Sequence, residues 1–519
     1  MPETIPGLLA AAAERDPDGS WLRTDDVCLS FAEAAGRVAG VADRLRAHGV
    51  RQGDRVVVTA RNTPPYLFTW LALASIGAVT VPTNPRGVAA EVRGLVQQTR
   101  PRLIVSDPGL SALVAGPGAT ELAALAELGV VEVAQVAPAD APVSSYDALL
   151  RSPARPDDVA VLIPTSGTTG RSKLVMQTHR AYAWAGEGFP DWMELERHDR
   201  LMTSLPLFHI NAQAYSVMGS LVSGAGLVLL PRFSASDFLE AARRHGATEF
   251  NAIGAMLEIL MRQPQRPDDA DTPLRLCYTG PSPSRERQEE MERRFGLRIV
   301  CGYAMSETPY GLIWPRGTRP FGTLGAPRQH PRLGVVNEAA VVGDAGQALG
   351  PGETGQLLLR NPVVTPGYWD MPDETAATIV DGWLHTGDLV TRNDDGTFTF
   401  VARLKEVLRR RGENLAPQEV EGAIATHESV LECAVVGVPS DMSEEEIKAF
   451  VVLAPGARVD FAALHTWTSQ QLAAFKVPRF WQAVDELPRT STARIAKHRL
   501  PAGHPADEYD AEAGGAAAS

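Results

Sequence analysis

Cysteine is scarce in this sequence, and its few positions show no pattern of pairing. The 519 residues contain four cysteines, Cys28, Cys277, Cys301 and Cys433, which is too few for a disulfide framework. None lies at the short spacing from another that a structural metal site requires. The sequence therefore excludes a disulfide-stapled scaffold and a cysteine-ligated metal module, and it predicts a reducing, cytoplasmic location.

Excess positive charge and long apolar runs are also absent. The chain has 49 Lys and Arg against 62 Asp and Glu, a formal net charge of −13, and an acidic surface repels nucleic acid and anionic membranes. The dense basic run Arg409–Arg411 is typical of a solvated face or an anion contact. The most apolar stretch, around Met218–Leu230, is too short to span a bilayer, and Met1–Thr4 lacks the features of a secretory signal. We therefore predict no nucleic-acid partner and no membrane span.

Helix and strand signals alternate through most of the chain. Hydrophobic residues make up 44% and charged residues 21%, an ordinary globular mixture. Apolar residues recur every three to four positions within Phe31–His48, which predicts an amphipathic helix. Short β-branched runs, such as Arg55–Ala60 and Leu103–Ser106, predict buried strands. This alternation favours an α/β fold.

The composition and the predicted secondary structure change near residue 400, where we place a domain boundary. Arg403–Gly412 has the composition of a charged connector, and a helix signal follows at Pro417–Thr426. Strands are predicted at Cys433–Val438 and Ala449–Leu453. We predict a large N-terminal domain at residues 1–403 and a small α+β domain at residues 404–503. Residues 504–519, rich in Ala, Gly and acidic residues, are predicted to be a disordered tail.

The segment from Thr165 to Lys173 has the composition of an anion-binding loop. It follows the apolar run Val161–Ile163, and its glycine and hydroxyl residues allow backbone N–H groups and side-chain oxygens to close around a phosphate. Arg171 and Lys173 add positive charge, while the glycine spacing differs from that of a Walker loop. A polar surface loop is the alternative. The predicted phosphate contacts are Thr165, Ser166, Gly167, Thr168, Thr169, Gly170 and Lys173.

The order of several further segments carries a family resemblance. The loop resembles the phosphate-contacting signature of the adenylate-forming superfamily, which includes acyl-CoA synthetases, luciferases and the adenylation domains of peptide synthetases. Phe208–Ile210, Gly412–Asn414 and Glu445–Phe450 are most similar to carnitine/crotonobetaine-CoA ligase-like members. The segments that resemble superfamily signatures follow in order and are Leu205–His209, Tyr278–Gly280, Gly302–Thr308, Gly382–Asp388, Arg403–Glu406 and Gly412–Asn414.

This resemblance implies a fold and a reaction. The implied fold is α/β, with a large N-terminal domain of layered β-sheets flanked by helices and a small, mobile C-terminal α+β domain. The implied enzyme is an ATP-dependent carboxylate ligase that forms an acyl-adenylate with release of pyrophosphate and then transfers the acyl group to CoA. The implied cofactors are ATP, Mg²⁺ and CoA. The alternative is an amide bond synthetase, which transfers the acyl group to an amine or an amino acid.

The resemblance also implies which residues hold the nucleotide. Glu307 offers a hard oxygen ligand for Mg²⁺, and Asp388 can accept hydrogen bonds from both ribose hydroxyls. Tyr303 is implied to stack on adenine, and Arg403 to reach ribose or phosphate oxygens. The alternative roles are a surface carboxylate for Glu307, a turn residue for Asp388, a packed aromatic residue for Tyr303 and a surface ion pair for Arg403. The remaining implied nucleotide contacts are Gly280 and Ser306.

Three residues are implied to serve the acyl group and the second half-reaction. His209 borders the carboxylate pocket in the family, although an isolated histidine in an apolar run is otherwise a core residue. Lys405 stands at the hinge position, where rotation of the small domain lets one site serve two reactions. A solvated lysine is the alternative there. Gly412 allows the loop after the hinge to approach the incoming thiol or amine closely.

The segment Pro488–Lys497 departs from the family pattern, which places a catalytic lysine after a glycine near the C-terminus. Ala493 and Arg494 stand at those two positions. Arg494 keeps the positive charge but is bulkier and planar, so we assign it the catalytic position, with Lys497 as the alternative cation. A nucleotide-binding relative with little catalysis is a further alternative that rests on Arg494.

The acid is the least determined part of the predicted reaction. Asn211, Gln213 and Tyr215 could hydrogen-bond a polar acyl group, but apolar neighbours dominate. The predicted partners are a small carboxylic acid as substrate and, as acceptor of the acyl group, either CoA or an amine or amino acid. A separate carrier protein as acceptor and a homodimer are left open. The segments predicted to line the acid's pocket are Phe208–Tyr215, Asn251–Leu257, Tyr278–Gly280 and Gly302–Tyr310.

Overall fold

The computed structural model of the chain contains two compact units. The described residues are 1–110, 129–138, 143–165, 172–280, 282–410, 413–439, 445–458, 460–489, 495–501, 503–505 and 508–514. The large unit comprises Met1–Ala339, Leu359–Leu384 and Asp395–Phe398, and the small unit comprises Ala340–Leu358, His385–Asp394 and Thr399–Ser519.

The strands of the first two thirds of the chain all belong to the large unit. They are β1 (Ser20–Arg23), β2 (Cys28–Ser30), β3 (Arg55–Thr59), β4 (Val79–Pro82), β5 (Leu103–Ser106), β6 (Val130–Glu132), β7 (Val159–Thr165), β8 (Lys173–Thr178), β9 (Arg200–Thr203), β10 (Gly226–Leu229), β11 (Glu249–Asn251), β12 (Leu276–Thr279), β13 (Arg298–Met305), β14 (Thr308–Ile313) and β15 (Ala326–Pro327).

The helices of the large unit alternate with these strands. They are α1 (Ile5–Arg15), α2 (Phe31–Ala47), α3 (Pro64–Ile76), α4 (Ala89–Thr99), α5 (Val133–Val136), α6 (Asp147–Leu150), α7 (His179–Met193), α8 (Met218–Ser223), α9 (Phe238–His245), α10 (Gly254–Met261), α11 (Arg285–Phe295) and α12 (Pro372–Thr378).

The strands of the large unit form two sheets that are mainly parallel. One has the order β15-β14-β13-β12-β11-β9-β10-β1-β2, and the other has the order β6-β5-β3-β4-β7-β8. The central strands carry continuous apolar runs, as in β3, where Val56–Val58 are completely buried. Parallel strands need this pattern because helices cover both faces of the sheet.

Local sequence signals explain where the helices begin and end. Helix α2 starts at a reciprocal cap, in which Ser30 and Glu33 each bond the other's backbone N–H, and it covers the predicted Phe31–His48 segment except its last residue. Helix α3 is apolar on every face and lies in the core. It begins with prolines after the capping Thr63 and ends at Gly77, whose φ of +77° suits glycine.

Glu249 is a buried acid in the middle of the larger sheet. It lies on β11, which pairs with β9 and β12, and neither carboxylate oxygen has a hydrogen-bond partner among the described residues. Burial, followed by the nearby Asp199 carboxylate, raises the pKa of Glu249 well above its usual value. An acid whose pKa is raised by folding stabilises the fold below its unfolded pKa and destabilises it progressively as the pH rises above that value.

We expect Glu249→Gln to raise the melting temperature at pH 8 by about 2 °C or more, with little change at pH 4. The amide has the shape of the protonated acid and stays neutral at every pH, so the variant loses the alkaline destabilisation. Differential scanning fluorimetry from pH 4 to pH 9 measures this, with the exposed Glu14→Gln as control. Identical melting profiles for Glu249→Gln and the parent protein would contradict the assignment.

The remaining helices and strands follow residue 337. The strands β16, β17, β19 and β20 each begin in one unit and end in the other along the chain. The strands are β16 (Glu338–Val342), β17 (Thr354–Arg360), β18 (Ile379–Val380), β19 (Trp383–Arg392), β20 (Phe398–Arg403), β21 (Leu408–Arg410), β22 (Glu413–Leu415), β23 (Val430–Pro439), β24 (Glu445–Leu453), β25 (Phe480–Ala483) and β26 (Tyr509–Asp510), and the helices are α13 (Pro417–Ala425), α14 (Phe461–Ser469) and α15 (Ala511–Gly514).

The small unit is built on a sheet with the order β23-β24-β25-β26. Its core includes Val435, Ile447 and Trp481 from three of these strands, and helices α13 and α14 contribute Ile424 and Leu464. The predicted helix and the two predicted strands of this region are therefore present. This antiparallel-rich sheet and its helices form an α+β arrangement.

The predicted charged connector, Arg403–Gly412, contains regular structure. Strand β21 pairs with β22, and Arg410 in β21 is only 4% exposed. Its guanidinium lies 2.6 Å from the Glu446 carboxylate and donates to the carbonyls of Phe475 and Val477. Arg410 is therefore a buried, paired cation rather than part of a solvated face, because its donors complete the hydrogen bonds of neighbouring backbone.

Residues 504–519 were predicted to be disordered, but part of this segment forms regular structure. Strand β26 pairs with β25, and Arg479 lies 2.8 Å from the Asp510 carboxylate. The buried Lys448 donates to the Gly503 carbonyl at 2.8 Å and pairs with Glu508. Lys448 in β24 and Arg479 just before β25 therefore hold this segment by pairing with its carboxylates. The predicted domain boundary between residues 403 and 404 is a hinge about which the C-terminal domain would rotate. It stays a prediction.

Within the described part of the chain, no helix combines the length and the apolar character needed to cross a membrane. All four cysteines are free thiols.

Candidate active site

The hairpin of β7 and β8 holds the two ends of the predicted phosphate loop together. Thr165 and Lys173 face each other across the two antiparallel strands, and the Thr165 hydroxyl donates to the Lys173 carbonyl at 3.2 Å. The predicted contacts Ser166, Gly167, Thr168, Thr169 and Gly170 lie outside the described residues. The hairpin thus fixes where the loop leaves and rejoins the sheet.

A segment from much later in the chain lies along the outer edge of β8. The Met176 amide donates to the Gly367 carbonyl at 3.0 Å, and the Trp369 amide donates to the Leu174 carbonyl at 2.9 Å. These bonds place the Tyr368 ring beside the end of the loop. The Lys173 ammonium lies 4.4 Å from the centroid of that ring, close enough for a cation–π interaction.

Tyr368 also contacts the predicted metal ligand. Its hydroxyl donates to Glu307 Oε1 at 2.8 Å, and the Thr365 amide donates to the Glu307 carbonyl at 2.7 Å. Burial, followed by the Glu307 charge, raises the pKa of Tyr368, so the phenol stays a donor. The structure therefore brings Lys173 and Glu307 to opposite sides of one tyrosine, and Gln177 of β8 donates to the Ser306 carbonyl beside them.

Tyr368 is a site residue that the sequence analysis missed. Its position is set by Gly367, whose φ of +138° is outside the usual range of other residues and where a Cβ would lie 2.4 Å from the Thr375 side chain. The Pro366-Gly367 dipeptide is a turn signal that could have indicated an aromatic residue just beyond a backbone kink. We define Lys173, Glu307 and Tyr368 as the phosphate-side cluster.

The predicted nucleotide contacts Gly280 and Tyr303 lie just beyond the point where the parallel pairing of β12 and β13 ends. Strand β12 pairs with β13, and a Cβ on Gly280 would lie 2.4 Å from the Gly302 carbonyl oxygen. Tyr303 follows Gly302, and its hydroxyl lies 3.7 Å from the Met305 sulfur. Only glycine fits where the two strand ends approach so closely. Ligands of open α/β sheets bind at the carboxyl ends of parallel strands.

His209 lies half-buried in the segment that follows β9. Its amide donates to the Pro206 carbonyl at 3.0 Å, and its ring centroid lies 4.1 Å from that of Phe208. The chain then forms a π-helical turn over Ala212–Val217, a feature that often accompanies functional sites.

The side chains predicted to bond a polar acyl group form hydrogen bonds within the protein. Asn251 donates to the Asn211 side-chain oxygen at 2.8 Å, and the Tyr182 hydroxyl donates to the Gln213 side-chain oxygen at 2.5 Å. The Tyr215 hydroxyl donates to a backbone carbonyl at 2.7 Å. These groups shape the wall of the predicted pocket by fixing one another.

In the small unit, the predicted ribose ligand and its predicted neighbour are in contact. Asp388 is completely buried on β19, and Arg403 Nε of β20 lies 2.8 Å from its Oδ1. The Asp388 amide donates to the Thr386 hydroxyl at 3.1 Å, across Gly387 with its φ of +71°. Thr-Gly-Asp thus lies within β19, with a left-handed glycine at its centre, and the Arg403 ion pair fixes the carboxylate.

Three predicted residues have no described side chain. Gly412 and Arg494 lie outside the described residues, and the backbone of Lys405 lies in a single 3₁₀ turn, Leu404–Glu406. The alternative cation, Lys497, lies 2.8 Å from the Glu421 carboxylate and 3.5 Å from that of Glu406.

Comparison with known proteins identifies the family. A family model described as AMP-binding enzyme matches residues 9–369, and one described as AMP-binding enzyme C-terminal domain matches residues 419–494. The chain belongs to the AMP-binding enzyme family. The predicted superfamily is therefore confirmed, and so is the prediction that the protein is an enzyme.

Two curated relatives of this AMP-binding enzyme resemble it over nearly their whole length. The crotonobetaine/carnitine–CoA ligase of Salmonella arizonae is 33% identical over 491 residues, which cover 91% of this chain and 93% of the relative. The feruloyl-CoA synthase of an Amycolatopsis species is 33% identical over 490 residues, which cover 93% and 96%.

A solved structure confirms the fold class of this AMP-binding enzyme. The o-succinylbenzoate CoA synthetase of Bacillus subtilis, in complex with the acyl-adenylate intermediate OSB-AMP, superposes with a TM-score of 0.83 at 25% identity, covering 95% of this chain and 97% of the other. The predicted α/β fold, with a large N-terminal and a smaller C-terminal domain, is therefore correct.

Proposed function

We propose that this protein is an ATP-dependent acyl-CoA ligase. It joins a carboxylic acid to AMP with release of pyrophosphate, and it then transfers the acyl group to the thiol of CoA. The observation that carries this proposal is the phosphate-side cluster, in which Tyr368 links Lys173 and Glu307 beside the phosphate loop. The names of the relatives support CoA as the acceptor, since both are CoA ligases or synthases at 33% identity.

The first half-reaction requires stabilisation of negative charge. An oxygen of the acid's carboxylate forms a bond to the α-phosphorus while the bond from that phosphorus to pyrophosphate breaks, so two anions must approach each other. Lys173 supplies a cation at the end of the loop, and the loop supplies N–H and hydroxyl donors. Donors fixed in place before the reaction contribute most where charge develops in the transition state.

Glu307 fits the requirements of Mg²⁺. This ion usually binds one or two protein carboxylates together with water and substrate phosphates. A single carboxylate that shares the ion with substrate phosphates fits this preference. When bound, Mg²⁺ neutralises charge on the departing pyrophosphate. Tyr368 holds one Glu307 oxygen in a fixed orientation.

Asp388 is proposed to accept hydrogen bonds from the ribose hydroxyls. A carboxylate has acceptor sites for two donors, and the Arg403 ion pair at 2.8 Å holds it in one orientation. Arg403 lies at the base of the predicted hinge and pairs with the Asp388 carboxylate.

The second half-reaction involves residues whose roles remain proposals from the sequence. Lys405 would absorb the change in backbone dihedral angles when the predicted C-terminal domain, residues 404–503, turns, and Gly412 would allow the thiol of CoA to approach. His209 would border the acyl group. Arg494 would supply the cation that is lysine elsewhere in the family.

The test is a panel of carboxylic acids with ATP and Mg²⁺, run in matched reactions with CoA, with amines and with amino acids. Mass spectrometry identifies the product of each reaction. We expect a CoA thioester. An amide formed at the same rate without any thioester would assign the protein to the amide synthetases instead, and accumulation of acyl-AMP with neither product would indicate a separate carrier protein.

A further inference from the structure

Arg328 is a completely buried cation held by neutral groups. Its Nε donates to the Leu312 carbonyl at 3.0 Å, and its Nη1 donates to the Pro309 carbonyl at 3.0 Å and to the Tyr215 hydroxyl at 2.5 Å. Its Nη2 donates to the Tyr278 hydroxyl. Each of these acceptors is uncharged, so the hydrogen bonds hold the guanidinium without neutralising it.

Aromatic rings surround the same guanidinium. Its central carbon lies 4.7 Å from the ring centroid of Trp192, 5.0 Å from that of Tyr215 and 5.4 Å from that of Tyr278. Burial raises the pKa of both tyrosines, so neither phenol becomes an anion near neutral pH. Ring faces attract a cation but leave its net charge in place.

The acids near this cluster are engaged elsewhere. Glu187 lies 2.6 Å from Arg332, and Asp191 lies 3.4 Å from Arg316. Among the residues that the structure describes, no carboxylate forms an ion pair with Arg328. A buried charge without a counterion acts over a longer distance than a paired one, because little solvent screens it.

The partners of Arg328 come from three of the segments predicted to line the acid's pocket. Tyr215 follows His209 through the π-helical turn, Tyr278 precedes Gly280 at the end of β12, and Pro309 follows Glu307. Arg328 therefore contacts the segments of the large unit that are proposed to line the acyl group's pocket. It also ties these three segments to one another.

We propose that Arg328 determines the charge of the acids that this protein accepts, by excluding acids whose acyl group carries a cationic ammonium in favour of neutral or anionic ones. The inference rests on the proposed function of the same site. Two like unit charges about 8 Å apart at an effective dielectric constant of about 20 repel enough to change a binding constant roughly tenfold or more. The side chain acts through charge, so its loss should affect charged and neutral acids differently.

The experiment compares two acids of the same shape. One is the best neutral acid of the panel that ends in a tert-butyl group, and the other is its analogue that ends in a trimethylammonium group. The ratio of their kcat/KM values for pyrophosphate release is measured for the parent protein, Arg328→Met and Arg328→Lys. Because general damage lowers both values together, the ratio reports charge selection alone.

We expect the parent protein to prefer the neutral acid about tenfold or more, Arg328→Lys to keep that preference, and Arg328→Met to lose most of it. Arg360→Met, which removes an exposed cation paired with Glu338, should leave the ratio unchanged. Equal use of both acids by the parent protein would overturn the inference, and so would an unchanged ratio in Arg328→Met. If no acid of the panel supports pyrophosphate release by the parent protein, the proposed function is overturned instead.

Discussion

Glu307→Gln is expected to lower acid-dependent pyrophosphate release by about 10²–10³-fold while the protein stays folded. The amide keeps the size of the side chain and can still accept the Tyr368 hydroxyl, but it loses the charge that would bind Mg²⁺. Initial rates of pyrophosphate release at saturating ATP, measured over a range of Mg²⁺ concentrations, test this. The variant should also require a higher Mg²⁺ concentration for half-maximal rate.

Tyr368→Phe provides a graded comparison at the same site. It removes the hydroxyl that donates to Glu307 at 2.8 Å but keeps the ring beside Lys173. We expect a loss of about tenfold, the typical effect of one hydrogen bond to a charged group. The metal assignment of Glu307 fails if Glu307→Gln retains more than a third of the parent rate, or if its Mg²⁺ dependence is unchanged.

Asp388→Asn is expected to lower kcat/KM for ATP by about 100-fold, mainly through a higher KM. Two hydrogen bonds from ribose hydroxyls to a fixed carboxylate contribute about 1.5–3 kcal/mol each, and the amide can replace only part of this. The variant also leaves Arg403 without its anion, so a lower melting temperature is expected. Steady-state kinetics with ATP varied and scanning fluorimetry measure the two effects.

The exposed Asp394→Asn is the matched control for Asp388→Asn in the same unit. It makes the same chemical change outside any proposed contact with ATP, so its KM should equal that of the parent protein. A KM for ATP within twofold of the parent value in Asp388→Asn would show that the carboxylate stabilises the small unit without contacting ribose.

The parts of the site that the sequence predicted are those encoded within single segments. Lys173 belongs to a glycine- and hydroxyl-rich loop after an apolar strand, and Asp388 follows Thr-Gly in a segment that resembles a family signature, so local composition and family resemblance were enough to nominate both as candidates. Strand and helix positions were predictable for the same reason, because parallel strands need continuous apolar runs.

Contacts between distant segments were not predictable. Tyr368 reaches Glu307 and Lys173 only because its segment lies along β8, and no local pattern encodes that pairing. Arg328 and Arg410 were missed because arginine is usually exposed, and their burial depends on carbonyl, phenol or carboxylate partners far away in the sequence. The contacts of the tail likewise depend on Lys448 in β24 and on Arg479 just before β25.

The most direct test of the central claim is acid-dependent exchange between ATP and labelled pyrophosphate, in the absence of CoA. Formation of acyl-AMP is reversible, so an enzyme that joins an acid to AMP incorporates labelled pyrophosphate into ATP only when a suitable acid is present. We expect exchange with at least one acid of the panel and its near-complete loss in Glu307→Gln. Folded protein that catalyses no exchange with any acid of a broad panel, in the presence of ATP and Mg²⁺, would contradict the proposal.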